Sequence, residues 1–110
     1  MHSKELLKGT LKTIVLKLLT EHDRMYGYEI TQKVKELTLG NLILTEGALY
    51  PTLHKLESEG LLTTEKVAIG KRIRKYYSLT PTGVTESVSK VEEFQSFVST
   101  MQLVLRIKPV

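Results

Sequence analysis

Apolar residues recur at helical spacing along the first half of this chain, then switch to alternation. Leu6, Leu7, Leu11, Ile14, Val15, Leu18 and Leu19 form one stripe, and Lys4, Lys8, Lys12 and Lys17 occupy the remaining face. The pattern predicts an amphipathic helix from Ser3 to Glu21, with Gly9 weakening its beginning. His22-Asp23-Arg24 is a polar break. A second helix is expected over Tyr26 to Leu37, turning Ile30, Val34 and Leu37 inward. Gly40-Asn41 signals a turn, and Leu42-Ile43-Leu44 predicts a short strand before the next helix.

That third helix runs from Thr45 to Gly60. The Thr45 hydroxyl suits an N-cap, and Gly60 suits the left-handed conformation in which helices end. Leu49, Leu53 and Leu56 make its inner face. Gly47, Pro51, His54 and Ser58 lie opposite, with Tyr50 and Lys55 on the flanks. Pro51 removes an amide donor and crowds the Gly47 carbonyl, so neither helix propensity nor packing asks for it. A leucine-anchored helix with a low outer face can lie in a groove.

Past Gly60 the period becomes two. Leu62 to Val67 and Ile73 to Leu79 predict two strands around a turn at Gly70-Lys71. Alternation puts Ile73, Tyr77 and Leu79 on one face and Arg72, Arg74 and Tyr76 on the other. Tyr77 is expected in the core and Tyr76 exposed near the basic tip. Three helices followed by a hairpin is the order of a winged helix-turn-helix. Thr80 and Pro81 then open a last helix. Its Val84, Val88, Val91, Phe94, Val98, Met101 and Leu105 recur on average every ~3.5 residues, the period of a seam between helices, with pairing to a second copy expected over packing back on its own domain. Pro109 is expected to end it. The fold class is therefore mainly α with a small β-hairpin: a winged head over 1–79 and a dimerisation helix over 80–110.

Composition narrows the function. The 110 residues include no cysteine, which removes disulfides and thiolate zinc sites. No apolar run is long enough to span a membrane, and no secretory signal is visible at the start, so a cytoplasmic location is expected. The net charge is +4. Between Leu61 and Leu79, Lys66, Lys71, Arg72, Arg74 and Lys75 face only Glu65, and the other positions balance at eleven basic and eleven acidic residues. A concentrated basic strip is the footprint expected for a phosphate backbone. Catalysis finds no support, because His2, His22 and His54 lie on separate elements and no nucleophile elbow or phosphate loop occurs. His54 and Glu57 offer at most two metal ligands, and an exposed histidine at a DNA surface is simpler. No cofactor is expected.

Several segments in order then resemble one family. Lys8-Gly9-Thr10-Leu11, Tyr26-Gly27-Tyr28-Glu29-Ile30, Glu46-Gly47-Ala48-Leu49-Tyr50-Pro51-Thr52-Leu53, Leu56-Glu57-x-x-Gly60-Leu61-Leu62, Gly70 to Tyr77, Leu79-Thr80 and Gly83 are similar to the PadR family of transcriptional regulators. The resemblance covers about residues 4 to 105 and points to the short subgroup with a single C-terminal helix. It implies a bacterial or archaeal dimeric repressor that binds operator DNA through two winged heads. It places Tyr28, Tyr50 and Pro51 at the DNA-facing surface, and Thr45, Glu46, Gly47, Ala48, His54 and Lys55 nearest the groove. Lys71, Arg72, Arg74 and Lys75 would be wing contacts, with Tyr76 beside them. It also implies a homodimer, and a phenolic or planar hydrophobic effector near the dimer interface.

Two departures qualify those expectations. The third helix carries Lys55 against Glu46, Glu57 and Glu59, so the commonest base contact, Arg or Lys to guanine, is scarce there. Affinity is expected mainly from the wing and backbone, and sequence choice from His54, Lys55, Thr45 and DNA shape. With no tryptophan in the chain, Phe94 and Phe97 are the aromatics left to line an effector pocket or, alternatively, to fill the dimer core with Val84, Val88, Val91, Val98, Met101 and Leu105. Tyr26 or Tyr28 could equally be a core phenol. A winged-helix protein-interaction adaptor without DNA binding, and a small-molecule binder, are the alternative functions.

Overall fold

A computed structural model describes residues 2–108 of the chain. Helices α1 (Lys4–Lys8) and α2 (Leu11–Glu21) lead into a two-residue strand, β1 (Met25–Tyr26). They are followed by α3 (Gly27–Leu37), α4 (Glu46–Ser58), strands β2 (Leu62–Ile69) and β3 (Arg72–Leu79), and α5 (Pro81–Leu105). The antiparallel sheet has the order β1-β3-β2. Helices α2, α3 and α4, a hairpin wing and a long closing helix make this a winged helix-turn-helix.

The core gathers one face from each element. Val15 and Leu16 of α2, Ile30 of α3, Leu49 and Leu53 of α4 and Tyr77 of β3 are all fully buried. At the end of α4, Gly60 has φ of 77°. Its N–H donates to the Glu57 carbonyl, and the Leu61 N–H to that of Leu56, both at 3.0 Å. These two bonds satisfy end carbonyls of the helix and turn Leu61 back into the core.

Helix α5 is fastened to the same corner. The Thr80 hydroxyl donates to the Gly60 carbonyl at 2.7 Å and accepts from the Gly83 N–H at 3.0 Å. Gly83 is buried, and a side chain there would run into the Leu61 carbonyl oxygen. The end of α4, the wing root and α5 therefore meet at one joint. Beyond Ser87, α5 buries no residue fully.

Three expectations are corrected. The predicted helix from Ser3 to Glu21 is broken at Gly9-Thr10, where the Thr10 hydroxyl turns back to the Leu7 carbonyl at 3.1 Å. Leu6 consequently lies exposed rather than in the core stripe. Leu37 is 62% exposed, because α3 ends there and Leu39 and Gly40 turn with φ of 52° and 81°. Leu42-Ile43-Leu44 forms no strand: Thr38 caps that loop, accepting the Leu42 N–H at 3.0 Å, and the strand that exists is Met25–Tyr26. Ile73 shares a face with Tyr77 but is 72% exposed, since the wing projects beyond the body. Helix α5 ends at Leu105 with Arg106 left-handed, and Pro109 lies outside the described residues.

Candidate nucleic-acid interface

The first turn of α4 is capped by Thr45, whose hydroxyl accepts the Ala48 N–H at 3.2 Å. Thr45, Glu46, Gly47, Pro51, His54 and Lys55 are exposed along its outer face, while Ala48 and Tyr50 are half-buried. A side chain on Gly47 would meet nothing within 4 Å. The chain's own packing thus gives no reason for a glycine there, whereas an external surface lying close to the helix would.

Between α4 and the wing is an open cleft of about 590 Å³. It brings together Tyr28, Tyr50 and His54 with Arg72, Arg74 and Lys75, and is floored by Gly27 and Tyr77. Tyr28 is 59% exposed, as a phenol available to an outside partner must be. Tyr50 packs over the first residue of α3, so closely that a Cβ on Gly27 would lie 2.7 Å from Tyr50 Cζ. Lys71 stands outside the cleft at the wing tip.

Contacts along the rim of the same cleft show how the wing is stiffened. Arg74 stacks over the Tyr26 ring at 4.0 Å, Arg24 over Tyr76 at 4.2 Å, and the two rings meet edge to face at 5.5 Å. Each such cation–ring contact contributes about 0.5–1 kcal/mol at a partly exposed site. Arg24 also pairs with Glu65 of β2. Tyr76 is therefore half-buried in a ladder of rings and guanidinium groups at the wing root, which corrects its expected exposure near the tip. The Tyr76 hydroxyl, 3.4 Å from Arg74 Nη1, is the main cause that raises the Arg74 pKa and keeps it charged.

Sequence patterning did not assign Arg24 and Tyr26 to this ladder, Gly27 to the cleft floor or Glu57 to the wing. Glu57 links Lys75 at 3.6 Å and the Thr64 hydroxyl at 3.2 Å, and so ties both wing strands to α4. The Tyr77 phenol is pushed above its usual range, first by burial and then by Glu57 and Tyr50. Among the described residues no three His, Asp or Glu side chains cluster to hold a metal.

Far from the cleft, α1, α2 and α5 enclose an open apolar groove of about 880 Å³. Leu6, Leu7, Ile14, Val91, Phe94, Phe97, Val98 and Met101 line it. The predicted seam residues are thus split: Val91, Phe94, Phe97, Val98 and Met101 share the groove, whereas exposed Val84, Val88 and Leu105 lie outside its lining.

A capped helix with an open outer face, set beside a projecting basic hairpin, defines a winged helix-turn-helix protein. The model of the PadR-like family of transcriptional regulators matches residues 15–88, and the chain belongs to that family. It is a transcriptional regulator and not an enzyme. The transcriptional regulator Rv3488 of Mycobacterium tuberculosis is 38% identical over 74 residues, which cover 64% of this chain and 66% of that protein. A transcriptional regulator from Clostridium thermocellum superposes with a TM-score of 0.82 at 28% identity, over 99% of this chain and 100% of that one. A PadR family regulator from Eggerthella lenta gives a TM-score of 0.81 at 28% identity, over 94% and 88% of the two chains. Among the described residues no helix is long and apolar enough to cross a membrane.

Proposed function

We propose that this chain is a sequence-selective DNA-binding repressor that works as a homodimer in the cytoplasm of a bacterium or archaeon. Each head lays the outer face of α4 in the major groove and sets its wing against the adjoining backbone. The elements up to β3 form the reading head, and α5 is the pairing helix. The observation that carries this reading is the cleft itself: phenols and cations converge beside a helix whose outer face is low and open. Arg72 and Arg74 donate to phosphate oxygens, as do the Tyr28 and Tyr50 hydroxyls, while Thr45, Glu46, His54 and Lys55 meet base edges. The apolar groove takes the second copy through Phe94, Val98 and Met101. Part of the same groove admits a planar hydrophobic or phenolic effector, since its volume is within the usual range for small-ligand sites.

Two-fold symmetry then requires an operator of two half-sites about one helical turn apart. Selection of bound fragments from random duplex DNA should return such a palindrome. If each wing neutralises ~2–3 phosphates, log–log salt dependence should have a slope of about −4 to −5. A flat salt response, or selection that enriches nothing, would refute the proposal.

A further inference from the structure

Glu57 is out of place on electrostatic grounds. It sits on the helix offered to a polyanion, where a carboxylate opposes binding, and that helix has only Lys55 as a cation. Packing does not explain it either, since the side chain is 36% exposed. Its contacts do. One carboxylate oxygen lies 3.6 Å from Lys75 Nζ on β3, and the other accepts the Thr64 hydroxyl of β2 at 3.2 Å. Among the described residues, these are the side-chain polar links between α4 and the wing strands.

The register adds a second reason. Lys75 is paired directly across the hairpin with Lys66. Like charges in that position oppose each other, and a carboxylate against one of them offsets the repulsion. Lys75 also lines the cleft beside His54, so its charge faces the surface that DNA would approach. Glu57 cancels part of that charge and fixes where it lies. The Lys12–Glu59 pair at 3.3 Å treats the neighbouring acid of the same helix end similarly, but it reaches α2 and leaves the wing free.

Leverage gives the tie its consequence. From Thr64 to the wing tip is about five residues, roughly 17 Å, so a tilt of about 10° would carry the tip about 3 Å. That displacement exceeds what a hydrogen bond tolerates. A wing free to tilt would still find phosphates on any duplex, yet it would no longer hold α4 and the backbone contacts in one register.

Resting on the DNA-binding function proposed above, we infer that Glu57 is a positioning residue for sequence discrimination: it locks the wing angle to α4 and withholds Lys75 from indiscriminate phosphate binding. Removing it should make binding tighter and less selective, the opposite of what loss of a DNA contact does.

The test is fluorescence anisotropy of the full chain with a selected operator duplex and an unrelated duplex of equal length, across a salt series. The variants are Glu57→Gln, Lys75→Gln and the pair together. Glu57→Gln should bind the unrelated duplex roughly fivefold tighter per head near physiological salt, with the slope steeper by about one phosphate. Its ratio of operator to unrelated affinity should fall. The double variant should return the slope to the wild-type value while the ratio stays low. Equal weakening on both duplexes, or an unchanged ratio, would overturn the inference. Should Glu57→Gln melt early, Lys75→Gln decides alone, because it breaks the same tie from the wing side and must lower the ratio without tightening unrelated DNA. A wild type that binds no duplex would refute the proposed function and this inference with it. A wild type that discriminates, beside a Glu57→Gln that discriminates equally, would refute the inference alone.

Discussion

The cleft between α4 and the wing and the groove between α1, α2 and α5 are both open, and both carry aromatic rings. Their chemistry differs. The cleft rings are tyrosines with nearby guanidinium groups, and the neighbouring Glu57 is paired with Lys75. The groove rings are Phe94 and Phe97, set among leucine, valine and methionine with Lys17 at the side. A phenol or guanidinium retains value when it meets a hydrated polyanion, whereas exposed phenylalanine gains only by leaving water. An apolar concavity of this size on a small chain marks a place where something apolar docks. One molecule thus carries two surfaces that cannot exchange partners, joined at the Thr80–Gly60 corner.

The largest effect should come from placing a charge in the groove. Phe94→Asp would oblige a paired apolar surface to bury a carboxylate, and the dimer constant should weaken by at least ~100-fold, about 3 kcal/mol. Sedimentation should show monomers with unchanged circular dichroism, since Phe94 is 40% exposed within one chain and the head does not need it. A variant that still pairs would put the second copy elsewhere and break the comparison.

Next in size is the wing tip. Lys71 and Arg72 are exposed, and no ion pair holds them among the described residues. Replacing both by alanine should cost roughly 25-fold per head on every duplex and flatten the salt slope by about two phosphates per head. Oligomeric state should not change. Titrations that show loss on the operator alone would mean that the tip reads bases.

The two surfaces were unequally legible from sequence. The basic surplus of Leu61–Leu79 announced the wing, and the cap at Thr45 with the stop at Gly60 bounded α4 to within two residues, because local chemistry determines both. Long-range neighbours carry no such local signal. Pairing of Met25–Tyr26 with β3 depends on tertiary register, so the ring and guanidinium ladder of Arg24, Tyr26, Arg74 and Tyr76 could not be assembled from periodicity. The groove was harder still. Its α5 wall followed from the spacing of Val91, Phe94, Val98 and Met101, but its other wall exists because Gly9-Thr10 breaks the first helix and turns Leu6 outward, and a long amphipathic stripe conceals such a break.

Two glycines sharpen this contrast at smaller scale. Gly27→Ala should force the Tyr50 ring out of its seat, destabilise the chain by about 1–3 kcal/mol and weaken DNA binding by misplacing that phenol. Gly9→Ala, on the groove side, meets nothing within 4 Å and keeps a right-handed helical backbone. It should leave stability unchanged or raise it by up to ~1 kcal/mol. Thermal melts of both variants decide the matter; equal costs would mean that the tight seat under Tyr50 is not a constraint.

The smallest effect at neutral pH, and the most selective, concerns Tyr77. Its phenol is shifted upward by burial first and then by Glu57 and Tyr50. In the unfolded chain the phenol ionises near ~10. Above that pH the folded chain holds a proton that the unfolded chain has released, so stability must fall as pH climbs through ~10 toward the folded value. Below the unfolded value the term is fully present and constant. Tyr77→Phe should therefore differ from wild type by about 0.5 kcal/mol or less at neutral pH, yet lose stability less steeply in alkali. Denaturant melts of the two proteins from neutral to alkaline pH measure this directly, and the other four tyrosines cancel in the difference. Parallel curves would show that the cleft floor is wetter than its buried ring implies, and that the two concavities differ less in their interiors than in their rims.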